Sequence, residues 1–216
     1  MNSAVAGGVE VSLSIDLELP LGAQTDENQQ RLEIVAAGLL EVLEQGSLPA
    51  TWGVSDPSLS AARDAILGAR AGHEIAVLGD PIWLGNGTMP SRLSREFERR
   101  FAGARRAGLQ VSTLLLRHEI GPLDLSLLLQ HGITAVRGPQ ASFADSSKPR
   151  HSACRFSIWQ VEQPLSLPLH RGWWHAEQWA FRQHVQSALR GRSLHWVLDA
   201  GQMVELPDMG LPAAVA

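Results

Sequence analysis

Two carboxylates, Asp16 and Glu18, close an alternating segment, VSLSIDLEL at 11–19. Side chains alternate faces along a strand, so these two acids point one way while Ile15, Leu17 and Leu19 point the other. Like charges on one face are costly in a packing role. They make sense at an open sheet end reached by water, a cation or a substrate, and equally as a solvated strand terminus. Other apolar segments are followed by Asp80, by the run Arg117, His118 and Glu119, and by Asp199 beyond His195. A carboxylate base, an arginine beside it and a histidine acid are the parts of a hydrolytic constellation. Each histidine taken singly also reads as an ordinary surface or core residue. The only lysine, Lys148, lies in a Ser/Pro loop and is a poor Schiff-base candidate. There is no tyrosine, so no phenol can take part, whereas seven tryptophans beside five phenylalanines offer flat surfaces for cores or for stacking on sugar rings.

The elements that must position these groups alternate. Asn28–Gln45 carries Leu32, Val35, Leu39, Leu40 and Val42 at helical spacing and stops at Gly46. The short apolar run PATWGV follows, then a helix opened by Asp56 and Pro57 and running to about Arg70. HEIAVL reads as a strand and Gly79–Pro90 as a breaker-rich loop. Ser91 caps a basic amphipathic helix to about Ala107, VSTLLL is a strand, Asp124–Gln130 a short helix and ITAV a short strand. Gly138–His151 is loop by composition. RFSIWQV and LSLPL read as two further strands, Trp174–Leu189 as a helix and SLHWVL as the last strand. This rhythm predicts parallel βα units in one domain over 1–216, an α/β barrel or barrel-like layer with its site at the C-terminal strand ends.

Composition narrows the partners. Apolar residues are 44% and charged residues 19%, ordinary globular usage. A net charge of −4 with no basic block argues against nucleic acid, and no apolar run is long enough to cross a bilayer. The opening MNSAVAGGVE has no basic region followed by an apolar one, and Cys154 is the only cysteine, so a cytoplasmic chain without an internal disulfide is expected.

The order of these segments resembles the polysaccharide deacetylase, or NodB-homology, family. PATWGV is similar to that family's ATFFV strand, AGHEIAVLGD to its GHEIGNHT segment and LRHEIG to its FRPPYG loop. HGITAVRG matches the following short strand, SLHW the closing LLH motif, and SIDLEL takes the TFDD position. The similarity runs in order from about residue 9 to 199 and implies a distorted (β/α) barrel of the NodB type. It further implies Asp16 as general base for water, Arg117 as the residue orienting it, the backbone N–H of Ile120 as oxyanion donor and His195 as general acid. Trp52, Trp83, Trp173, Trp174 and Trp196 would offer sugar-stacking surfaces, and equally core or rim packing.

The departures from that family fall on its metal. Its second aspartate position is Leu17 here, and its two histidine positions fall on Leu78 and Ile82, none of which has a lone pair to give. Glu18, Asp80, His118 and Glu119 could supply a rebuilt carboxylate-rich site; otherwise no cofactor is expected. Without a Lewis acid an ester is an easier substrate than an amide. Two functions remain open. One is a carbohydrate deacetylase-like hydrolase acting on an acylated sugar or small molecule. The other is a non-catalytic relative that binds a carbohydrate or a protein partner.

Overall fold

The computed structural model describes residues 3–6, 9–58, 63–84, 89–118, 125–138, 152–155, 158–161, 165–166 and 194–204. The opening alternating segment forms β2 (Val9–Asp16), preceded by a short strand β1 (Ser3–Ala6) that pairs antiparallel with its first half. Helix α1 (Asp26–Gln45) follows, its Thr25 hydroxyl accepting from the Asn28 N–H at 3.2 Å as an N-cap. Strand β3 (Thr51–Val54) leads to helix α2 (Arg63–Gly68) and strand β4 (Glu74–Gly79). In the expected loop, Pro81–Leu84 makes one helical turn, α3.

The basic helix begins one residue before the expected cap. Pro90 opens α4 (Pro90–Phe97), where its missing N–H costs nothing, and Ser91 lies inside the helix. It continues through a π-helical stretch, Glu98–Ala102, into α5 (Gly103–Arg106). Strand β5 (Thr113–Leu116), helix α6 (Leu125–Gln130) and strand β6 (Ala135–Arg137) complete the repeats. RFSIWQV, read as a single strand, is instead parts of two: β7 (Ser152–Arg155) and β8 (Ile158–Val161) pair antiparallel. Strand β9 (Leu165–Ser166), strand β10 (Leu194–Asp199) and helix α7 (Ala200–Val204) follow. The helix expected over Trp174–Leu189 lies outside the described residues.

All strands but β1 and β7 run parallel, in the order β7-β8-β6-β5-β4-β3-β2-β10-β9. Among the described residues β7 and β9 end the sheet without meeting, so the expected barrel is open. It is nonetheless strongly curled. Arg137 on β6 and Asp16 on β2 are four strand steps apart, about 19 Å across a flat sheet. Their side chains touch at 2.7 Å, which requires the sheet to fold its concave face around them.

Helices cover the convex face. Ile15, Leu17 and Trp52 pack under Leu32, Val35 and Leu43 of α1 and under α7. Val77, Leu114 and Val136 pack under Phe97 and Phe101. The concave face carries a thin apolar layer, Ala76, Leu78 and Leu115, and otherwise polar groups. Among the described residues no helix is long and apolar enough to cross a membrane.

Candidate functional site

Parallel register brings the charged residues to one level at the C-terminal strand ends. Asp16 pairs in register with Asp199 on one side and Gly53 on the other, and side chains in register share a face. Asp16 is completely buried, and so is Arg137. Arg137 grips both carboxylate oxygens as a fork, Nη1 donating to Oδ1 at 2.7 Å and Nη2 to Oδ2 at 3.0 Å. Its Nη2 also faces the Leu116 carbonyl at 3.4 Å. Gly53 leaves room for this pair: a Cβ there would lie 2.7 Å from Leu115 Cδ1 and 3.4 Å from Asp16 Oδ1.

Arg117 sits one layer further out. Its Nε is 3.6 Å from Asp16 Oδ2, while its Nη2 donates to Asp199 Oδ1 at 3.0 Å and to the Glu18 carbonyl at 3.2 Å. Asp199 in turn accepts the Gly201 and Gln202 N–H groups at 3.0 and 3.3 Å, capping α7. Burial pushes the Asp199 carboxyl above its usual range, with Arg117 opposing the shift. Among the described residues Arg137 grips both oxygens of Asp16, and Arg117 chiefly serves Asp199.

Glu18 lies just past the end of β2. Its Oε1 accepts a hydrogen bond from the Ser55 hydroxyl, and its Oε2 is buried with no hydrogen-bond partner among the described residues. Burial pushes its pKa up, against the opposing effects of Ser55 and Arg117. The π-helical stretch turns Arg100 inward, where it donates to the Ser55 carbonyl and lies 4.5 Å over the Trp83 ring.

Several expectations change. His195 shares the concave face but pairs in register with Ser12, four residues before Asp199 and about 13 Å toward the other end of the strand. There it is buried, its Nε2 2.7 Å from the Ser14 hydroxyl. Burial, reinforced by Arg137, lowers its pKa to about 3, so it is neutral near pH 7. The imidazole thus lies apart from Asp16, Arg117 and Asp199. At the C-terminal end of β10 it is Asp199 that lies level with Asp16.

Three of the tryptophans, Trp52, Trp83 and Trp196, lie away from these charged groups. Trp52 is one residue out of phase with Thr51 and Gly53, so it points to the convex side, wholly buried and edge-on to His73. Trp83 is 3% exposed and packs edge-on against Phe97 beneath Arg100. Trp196 alternates with His195 and so lies on the convex side of β10, half-buried.

Of the positions tied to a metal, Leu17 lies in the convex core, Leu78 in the concave apolar layer, and Ile82 on the surface. Asp80 spends Oδ1 on the Ile82 N–H at 2.6 Å, and His118 is exposed. Ile120, Glu119, Trp173 and Trp174 lie outside the described residues. The side chains present at Asp16 do not fit a divalent ion: both oxygens of the one central carboxylate are held by a guanidinium, with a second guanidinium within 4 Å.

Sequence reasoning passed over Arg137, Gly53, Ser55 and Arg100. A signal for Arg137 was present. It is the charged last residue of the apolar segment ITAVR, as Asp16 and Asp199 are of theirs.

No family model matches the chain, and no curated protein matches it. Among solved structures, a mutant of a CE4-family pseudoenzyme with restored enzymatic activity matches with a TM-score of 0.46 and 11% identity. The match covers 90% of this chain and 66% of that one, so this chain spans just under two thirds of its length.

Proposed function

We propose that this chain is a non-catalytic relative of the polysaccharide deacetylases that binds an uncharged, hydroxyl-rich ligand, a carbohydrate, at the C-terminal end of its sheet. One observation carries the reading: the carboxylate in the position of the general base is fully buried, with each oxygen on Arg137. A base must come within hydrogen-bond reach of the water it deprotonates, and Asp16 has no open face to offer. The motif order in the sequence supports the family, and the charges support the ligand class. Asp16 with Arg137 and Asp199 with Arg117 form two ion pairs, so these four groups together carry no net charge. The partly accessible edges are those of Arg117, Asp199 and Glu18, donors and acceptors of the kind that read hydroxyl groups.

The test pairs binding with turnover. Titration of the ¹⁵N-labelled protein with N-acetylglucosamine oligomers should give saturable shifts that weaken at least tenfold in Arg117→Met. Hydrolysis of aryl acetates and acetylated oligomers, with and without added divalent ions, should not exceed that of Asp16→Asn. Turnover that depends on Asp16 would overturn the reading.

A hydrolytic alternative is favoured by one specific feature, the raised Glu18 carboxyl with its unpartnered Oε2 beside Arg117. In that reading Glu18 takes the acid–base role. Turnover would then survive Asp16→Asn and disappear in Glu18→Gln.

A further inference from the structure

We propose that His73, the histidine of the AGHEIAVLGD segment, is an acid-released latch: neutral, it holds the start of β3 to the end of α1, and protonated it lets β3 go. It lies at the N-terminal ends of β3 and β4, opposite the charged strand ends, so the inference stands or falls apart from the carbohydrate reading.

The His73 side chain is fully buried, edge-on to Trp52. Its Nδ1 accepts the N–H of the buried Ala50 at 3.1 Å, so Nδ1 carries no proton and the neutral ring is the Nε2–H tautomer. That Nε2 faces Glu44 Oε1 of α1 at 3.4 Å. Glu44 is itself fixed, accepting the Arg70 N–H on Oε2 and the Ala71 N–H on Oε1, both at 2.7 Å. Gly72, at φ +70°, turns the chain from those two amides into His73. The Ala50 carbonyl accepts the Glu74 N–H at 3.0 Å, a rung at the start of the β3–β4 pair. One imidazole thus joins α1, β3 and the turn into β4.

A second proton on this ring goes to Nδ1, where it would meet the Ala50 N–H, donor against donor. The bond to β3 then breaks, while Nε2–H keeps its carboxylate. Burial lowers the His73 pKa below its usual 6.5, and Glu44 opposes the shift. Glu44 is the charged group facing the ring among the described residues. From β3 come the Ala50 N–H and the Trp52 edge, the Arg70 side chain is exposed, and Glu74 turns away to accept the Thr51 and Thr113 hydroxyls.

The experiment reads the ring and the Ala50 amide by NMR. Long-range ¹H–¹⁵N spectra of the folded protein at pH 7.5 should show His73 neutral with its proton on Nε2. Between pH 7.5 and pH 4.5 the exchange protection of the Ala50 amide, corrected for the intrinsic rate at each pH, should fall at least tenfold as His73 titrates. His73→Asn keeps an acceptor at the Nδ1 position and does not titrate, so its Ala50 amide should stay protected. Glu44→Gln should move the release to lower pH, because the charge that favours the imidazolium is gone. If the chain unfolds as a whole before His73 titrates, His73→Asn should move the acid unfolding midpoint to lower pH. The first two measurements need no variant and decide the matter if His73→Asn misfolds. A proton on Nδ1 at pH 7.5, a His73 pKa at or above 6.5, or Ala50 protection unchanged through the titration overturns the proposal. So does an acid unfolding midpoint, in that whole-chain case, that is equal in wild type and His73→Asn.

Discussion

Removing either half of the Asp16–Arg137 pair should cost far more stability than removing both. The pair is fully buried, so each charge has given up its hydration and relies on its partner. Losing one partner strands the other, at about 3–5 kcal/mol, whereas replacing both by apolar residues of similar volume is about neutral or stabilising. For a chain of this length each kcal/mol moves the unfolding midpoint by about 2–4 °C, giving a drop of about 6–20 °C for a single variant. The structure also sets an order. Arg137→Met leaves Asp16 with Arg117, whose Nε is already 3.6 Å away. Asp16→Leu leaves Arg137, among the described residues, facing only the Leu116 carbonyl at 3.4 Å, so it should be the more damaging. Urea unfolding of both single variants and of Asp16→Leu/Arg137→Met closes the cycle, with an unchanged denaturant slope as the check that only stability moved. A loss below about 1 kcal/mol for Arg137→Met, the value of an exposed ion pair, would show that Asp16 sees water and would refute the reasoning.

Three further outcomes follow from the same geometry. The folded chain holds His195 near 3, below the usual 6.5, so between those values the unfolded chain binds the extra proton and stability falls as pH falls. Replacing it, as in His195→Gln, should flatten this acid limb by a few kcal/mol, and parallel pH profiles for variant and wild type would contradict it. Glu18 has the opposite sign: its raised carboxyl costs stability above its folded pKa, so Glu18→Gln should raise the unfolding midpoint at pH 7.5 and lose that gain below pH 4.5. Trp52→Ala should destabilise by about 3–5 kcal/mol as a core truncation without changing oligosaccharide affinity of the folded protein; weakened binding at unchanged stability would put the indole at the site after all.

Much of this architecture is local and was legible. The β2, α1, β3 and β4 segments, β5 and β10 announce themselves through spacing of apolar residues, and their alternation implies a parallel sheet with a site at its C-terminal ends. Asp16 was identifiable because it is the first charge after an alternating run. Arg117 was identifiable in the same way, though its principal partner was not. The short β1 and α7 carried no periodic signal of their own, being four and five residues long.

Which face a strand turns inward, and how far along its neighbour it sits, are not local properties. A shift of four residues in β10 separates a reading with His195 at the site from the observed one with Asp199 there. A phase of one residue in β3 separates Trp52 as a sugar platform from Trp52 as core. The sequence by itself determined the element types, the alternation and the supply of complementary charges at the strand ends. Only the tertiary structure decided that Arg137 takes Asp16, because that choice depends on how tightly the sheet curls. Curl sums small twists and packing contacts over every intervening strand, and no window of residues contains it.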